Sequence, residues 1–291
     1  MSVLAQGVES TVVLGAIYGL VGVGFVLLFR ASKVLSFAQG GFVLLGAFVF
    51  YDLVRAGRSF PVALLVSVVA VAAISGLLYL VVFARVAARE HFTTSVATIG
   101  LAGVLTAAVA VRYGTAPLSL PDDVVSTRVF RVLGAVVPAT DVVAVAIAVV
   151  VVLALVAVLR YTPVGLRMNA VADNVSLSAH LGVPAARVAT TAWVLAGGTA
   201  ALAGIAFSLR YSVDPVGVST IGFLAFPAII LGGLDSVGGA LFGGVLIAAI
   251  QTFVQLTFGS SWVNIISFAI MLVFLLVRPT GLFGRAEVVR L

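Results

Sequence analysis

No cysteine occurs in the 291 residues, which excludes disulfides and thiolate metal sites. Histidine is nearly as scarce, with only His91 and His180, and two imidazoles argue against a metal centre or a haem. Lysine occurs once, as Lys33. Charge of either sign is thin: Asp, Glu, Lys and Arg make up 9% of the chain, where a soluble domain carries about a quarter. Apolar residues take their place, at 63% and a mean hydropathy of +1.30. Such a chain cannot cover itself with polar surface, so lipid must be its solvent. The net charge of +6 does not indicate nucleic acid, because no basic run exceeds two residues. The excess reads instead as an orientation signal for a membrane protein.

The opening "MSVLAQGVES" has no positive segment of the kind that starts a cleaved signal. Thr11–Phe29 follows as nineteen apolar residues, about 28 Å at ~1.5 Å per residue, enough for the hydrocarbon core. Further apolar spans run over Phe37–Val54, Val62–Ala84, Ser95–Val111, Val142–Leu159, Val188–Leu209, Ile221–Leu234, Val237–Leu256 and Trp262–Val277. In lipid these must be helices, since unpaired backbone amides are too costly there. The expected fold is an all-α polytopic bundle of about eight or nine membrane helices in one permease-like domain over residues 1–291.

Ile221–Leu234, at fourteen residues, is short for a crossing, and charge decides the matter. If all nine spans cross and 160–187 is cytoplasmic, ten of the 16 basic residues lie inside and six outside. That is the favoured bias, with the N-terminus outside and the C-terminus cytoplasmic.

Two polar segments are longer than turns. Residues 112–141 hold Pro117, Pro121, Asp122, Asp123 and Pro138 around β-prone "VVSTRVFRVLGAVV", and read as an external loop with a short hairpin. Residues 160–187 are different. Val171, Val175 and Ser178 recur at helical spacing beside Leu177 and Leu181, which predicts a short amphipathic helix over Val171–Leu181. Asp173 suits its first turn, Gly182 its C′ stop and Pro184 the start of the next helix. Its polar face is Asn169, Asp173, Asn174, Ser176 and Ser178. That composition fits a protein partner better than a lipid surface, where Lys and Arg would crowd.

"GFVLLFR" at Gly24–Arg30 returns as "GIAFSLR" at Gly204–Arg210. Each ends a span and precedes a polar gap and a Gly-Phe start. Opposite placement of the two arginines suggests an inverted repeat, with a site at its interface. Gly239 and Gly243 form GxxxG, and Gly244 extends the small-residue stripe, as close helix packing in lipid requires. No P-loop or GxGxxG occurs, no Ser-His-Asp or paired-carboxylate set is present, and no ionisable group lies mid-span. The chain has no ATPase site of its own, and a coupled carrier would bury a titratable group at depth. The energy source is expected elsewhere.

The stretches "GAIYGLVGVGFVLLFRASKVLSFAQGGFVLLGAF", "GLRMNAVADNVSLSAHLGV", "AIILGGLDSVGGALFGGVLIA" and "RPTGLFGRAEV" resemble, over essentially the whole chain, the membrane permease of high-affinity branched-chain amino acid ABC importers, the H-type subunit of the Liv system. The resemblance implies an M-type permease homologue as partner, two ATP-binding subunits and an extracytoplasmic solute-binding protein. It implies no cofactor in this chain, ATP being used by the partner subunits. Gly165–Leu181 is similar to the family's cytoplasmic coupling segment, and Asp173, Ala179 and Gly182 match its recurrent positions. Urea and short-amide importers share these motifs, so the solute is less well specified than the role. An ATP-independent carrier or channel is the alternative from another class.

One stretch departs from the pattern. Where the family has a sequence close to Asn-Phe-Ala-His-Gly, this chain has Ser36, Phe37, Ala38, Gln39 and Gly40. The break at Ser36, Gln39, Gly40 and Gly41 is expected to line the solute path. Ser36 also suits a helix N-cap. Ser219 and Thr220 are the corresponding candidates in the second half.

Overall fold

The computed structural model describes residues 2–86, 91–121, 124–125, 128–132, 135–278 and 280–284. Asp122, Asp123, Arg89, Arg285 and Arg290 of the loop and orientation readings lie outside these. The elements in chain order are α1 (Ser2–Ser32), α2 (Gln39–Arg55), α3 (Phe60–Val86, with a π-helical turn at Tyr79–Phe83) and α4 (His91–Tyr113). A hairpin follows, β1 (Val129–Val132) with β2 (Ala135–Pro138), Val129 opposite Pro138. Then come α5 (Ala139–Tyr161), the short α6 (Pro163–Asp173) and α7 (Val175–His180), α8 (Ala185–Ser208), α9 (Pro215–Leu224), α10 (Phe226–Gly232), α11 (Val237–Phe258) and α12 (Val263–Val277).

Among the described residues, eight helical segments are long and apolar enough to cross a membrane, with α9 and α10 counted as one. At 17 residues, α2 falls just short of that length. It nevertheless runs alongside α4 from end to end. The Phe37 N–H donates to Thr98 Oγ1 at 2.9 Å near one end, and Tyr113 donates to Asp52 at the other. With α2, nine segments among the described residues run from one end of the bundle to the other. The short Ile221–Leu234 span is resolved as a bent pair. Asp214 caps α9 by accepting from the Gly217 N–H at 2.7 Å, and Pro215 follows at N1. Pro227 cannot donate back to the preceding turn, so the helix restarts at Phe226. The pair covers Pro215–Gly232, eighteen residues, starting earlier than apolar content alone indicates.

Hydropathy does not rank these spans by burial as it would in a soluble bundle. The most apolar span, α5, has a mean hydropathy of 3.5 and is only 22% buried, whereas α8, at 1.5, is 67% buried. Lipid selects the greasy face outward, and the interior accepts Gly, Ser, Thr and Gln where partners exist. One such set joins three helices: the Tyr18 hydroxyl donates to Gln251 Oε1 at 2.8 Å, and Gln251 Nε2 donates to Ser267 Oγ at 3.1 Å.

α1, α2 and α8 form the centre, and the packing follows the sequence repeat. α1 packs on α11 as α8 packs on α3, α2 packs on α4 as α10 packs on α12, and α1 lies against α8 across the middle. α1 and α8 are antiparallel, because Arg210, just past the end of α8, reaches Glu9 near the start of α1. The two halves are therefore arranged in opposite sense. Gly239 and Gly243 meet the α10 backbone at Gly232 and Ala228, and Gly244 meets α1 at Gly19.

Candidate functional site

The residues singled out at the break between α1 and α2 converge. The segment 33–38 is not helical, and its Phe37 ring stacks on Phe223 at 5.8 Å and tilts on Phe226 at 5.5 Å. Behind it α2 crosses α9 with almost no separation. A Cβ on Gly222 would lie 2.6 Å from the Gly40 Cα, and one on Gly40 would strike the Ser219 carbonyl oxygen. Only glycine on both sides permits this approach. Gly41 faces the other way, against Leu105 and Ala102 of α4. The Ser219 and Thr220 hydroxyls both donate to the Val216 carbonyl of their own helix, at 2.9 and 2.6 Å.

Gln39 is fully buried between α1 and α8. Its Nε2 donates to the Ala196 carbonyl at 3.2 Å and sits on the Gly24 backbone, while its Oε1 accepts from no described residue. Ser36 is buried too. It does not cap α2, whose N-cap is Ala38 without a side-chain hydrogen bond, and its Oγ lacks a partner. The capping reading of Ser36 is thus corrected: helix geometry begins two residues too late for its hydroxyl. Gly40 meets the Ser219 backbone at the α2–α9 crossing, which is packed shut in this conformation, whereas Gln39 turns toward α1 and α8 and Gly41 toward α4.

The segment after α5 differs from the single helix expected over Val171–Leu181. Asn174 takes an extended conformation and accepts from the Leu177 N–H at 2.9 Å, so it ends α6 and caps α7. Asp173 is therefore the last residue of α6, not in a first turn. The stop at Gly182 is as read: its φ is +79°, with Gly182 N–H donating to Ala179 O at 3.0 Å and Val183 N–H to Ser178 O at 2.9 Å. Gly165 packs onto the Leu159 backbone, which lets α6 fold back sharply from α5. The two helices divide the work. Val171 is buried in the bundle, whereas Val175, Leu177 and Leu181 are 53%, 57% and 74% exposed. Ala179 lies among them on the exposed side. α7 thus presents an apolar face at the end of the bundle that also carries Arg30 and Lys33.

At the opposite end is a cluster the sequence reading missed. Arg210 donates to Glu9, to Asp141 at 2.7 Å and to Ser10 at 2.9 Å. The ends of α1, α5 and α8 are clasped by one guanidinium between two carboxylates. Asp141 is almost fully buried and its Oδ1 has no partner among the described residues. The only sequence signal was an acidic residue heading each of two spans, which any helix start can show.

This arrangement has relatives. The family described as "Branched-chain amino acid transport system / permease component" matches residues 7–275. The chain belongs to that family. The permease protein LivH of the high-affinity branched-chain amino acid transport system of Salmonella typhimurium is 26% identical over 299 aligned positions, covering 97% of this chain and 96% of that one. LivH of Escherichia coli K12 is 25% identical and BraD of Pseudomonas aeruginosa 23%, each with the same coverage. Among solved structures, PsaBC from Streptococcus pneumoniae in complex with Fab superposes with a TM-score of 0.50 at 14% identity, over 97% of this chain and 94% of that one. At that identity the likeness is one of fold. The chain is a multi-pass membrane permease component of a transport system.

Proposed function

We propose that the chain is the membrane-spanning subunit of an ABC importer for leucine, isoleucine and valine. The observation that carries this is the match along almost the whole length to permeases named for branched-chain amino acid transport. Separate ATP-binding subunits drive it, docking on α6 and α7. The exposed apolar face of α7, paired with a buried Val171 on α6, supports that role, because a coupling element must touch both a partner and the bundle. An M-type permease homologue pairs with it, and an extracytoplasmic solute-binding protein delivers the ligand. ATP is used by the partner subunits, and this chain needs no cofactor of its own. The Arg30 end is cytoplasmic by the basic-residue bias, ten of 16, which puts the N-terminus outside. Residues 1–291 act as one domain, with the external loop at 112–141.

The test is uptake in a strain lacking this gene. Labelled leucine, isoleucine and valine should enter only when the chain is restored together with its partners. Uptake of labelled urea or acetamide in place of leucine would move the assignment to the amide importers. Leucine uptake that persists after the ATP-binding subunits are deleted would overturn the ABC reading altogether.

A further inference from the structure

Two arginines beside the α6–α7 segment have no counterion among the described residues. Several other basic side chains at the Arg30 end are engaged within the chain. Arg30 donates to the Asp235 carbonyl at 2.8 Å, Lys33 pairs with the Asp235 carboxylate at 3.7 Å, and Arg160 lies over the Tyr161 ring at 5.7 Å. Arg167, on α6, and Arg187, on the first turn of α8, are exposed and form no ion pair with any described residue. Arg187 stands where the chain alone disfavours it. α8 has no acidic residue in its first turn and no side-chain cap at Pro184, so the positive end of the helix dipole and a guanidinium lie together uncompensated.

Both arginines line one cleft of about 180 Å³ between α6 and α8. That is below the range of small-molecule sites, roughly 300–1,000 Å³, and suits a single side chain. Met168 and Val188, both buried, give it an apolar wall. The Thr191 hydroxyl already donates to the Arg187 carbonyl at 2.9 Å, which leaves the two guanidiniums as its free donors. No Asp or Glu is among the described lining residues. Gly182 and Pro184 lie along the cleft and join it directly to Leu181, the last residue of the exposed apolar face of α7. Apolar and cationic surface are therefore contiguous here.

We infer that the ATP-binding subunit places an Asp or Glu side chain in the α6–α8 cleft, between Arg167 and Arg187, beside its apolar contact with α7. The inference rests on the docking reading above and adds the charge of the partner to it: an apolar groove for α7 with an acidic rim on the α8 side. A carboxylate accepts well from planar guanidinium forks, and paired N–H donation fixes its direction as well as its place. An anionic leaflet is the other surface that cations could face. It recruits clusters of about four to eight basic residues, whereas α6 and α7 carry one arginine, Arg167, and expose one carboxylate, Asp173, with it. A segment so balanced is a poor lipid anchor, and a protein surface can match each charge separately.

The test separates charge from apolar contact by rate. The full chain is placed in phosphatidylcholine nanodiscs, and binding of its ATP-binding subunit is followed by interferometry at rising salt. Charge at the rim of a contact acts mainly on the association rate and its salt dependence. Arg167→Gln combined with Arg187→Gln should slow association about tenfold at low salt and flatten the salt dependence. Arg167→Lys with Arg187→Lys keeps the charge and should retain most of the rate. Truncation of the α7 side chains should act on dissociation instead. Melting curves establish that these exposed substitutions keep the fold. Association of the glutamine pair within about threefold of the parent, or an unaltered salt dependence, overturns the inference; if α7 truncation still weakens binding, the docking reading survives without it. If the glutamine pair behaves as expected while α7 truncation changes nothing, docking at α7 falls and the acidic contact stands. A difference between parent and variant that appears only when phosphatidylglycerol is in the disc assigns the arginines to lipid and overturns the inference.

Discussion

The apolar face of α7 allows a quantitative test of coupling. Val175, Leu177 and Leu181 are between half and three-quarters exposed. Together they offer a little less than two full side chains of apolar surface. At roughly 2 kcal/mol per buried side chain, complete coverage by a partner contributes about 3–4 kcal/mol. Truncation of all three to alanine leaves each Cβ in place, so the expected loss is about 2–3 kcal/mol, or roughly 30- to 150-fold in dissociation constant. The assay is titration of the detergent-solubilised permease with its ATP-binding subunit, with thermal melting alongside. The triple variant should melt normally, because these side chains contribute little to the bundle. Val171→Ala should do the reverse. Its side chain is buried in this chain, so it should lower the melting temperature and leave docking affinity unchanged. If the triple variant binds within threefold of the parent, or if Val171→Ala weakens binding as much, α7 is not the docking element.

Arg210→Ala should be among the most damaging single changes. It strands Glu9 and Asp141 as neighbouring buried carboxylates, on the scale of 3–5 kcal/mol, and adding Glu9→Gln and Asp141→Asn should recover much of the lost melting temperature. Orientation can be read from single cysteines in this Cys-free chain: Ser212→Cys should react with an impermeant maleimide in intact cells and Asp173→Cys should not, and the opposite pattern would invert the topology. Gln39→Leu removes one 3.2 Å hydrogen bond, worth about 1 kcal/mol, but also an unpaired buried oxygen that costs about 1–3 kcal/mol. Melting should therefore stay level or rise, and a transport rate that falls regardless would show that the amide serves the solute. An unchanged rate would remove it from the path.

Spans, hairpin and helix stop were legible in the sequence because each rests on local chemistry. Lipid demands runs of apolar residues whatever packs on them, and Gly182 stops a helix by its own backbone freedom. The misread parts depend on competition between neighbours. Val171 and Val175 look alike at helical spacing, yet Asn174 finds the Leu177 N–H and breaks the helix between them, turning one valine inward and leaving the other on the surface. The arginine clasp was hidden for the opposite reason. Arg210 is 69 residues from Asp141 and 201 from Glu9, and nothing local in any of the three reveals that they meet. The α2 start lies between these cases. A hydroxyl, an amide and two glycines at membrane depth announce that something unusual happens there, and it does: α2 and α9 touch backbone to backbone at Gly40 and Gly222. The same residues would be needed for a path and for a close crossing, because both require small size and both must satisfy polar groups away from water. The unpaired Ser36 Oγ and Gln39 Oε1 separate the two. A crossing selected only for tight packing would have no use for two buried oxygens that accept nothing, since apolar residues of the same shape would be more stable there. Their presence is the physical reason to look for transport at this crossing, and the Gln39→Leu comparison of rate against melting measures it.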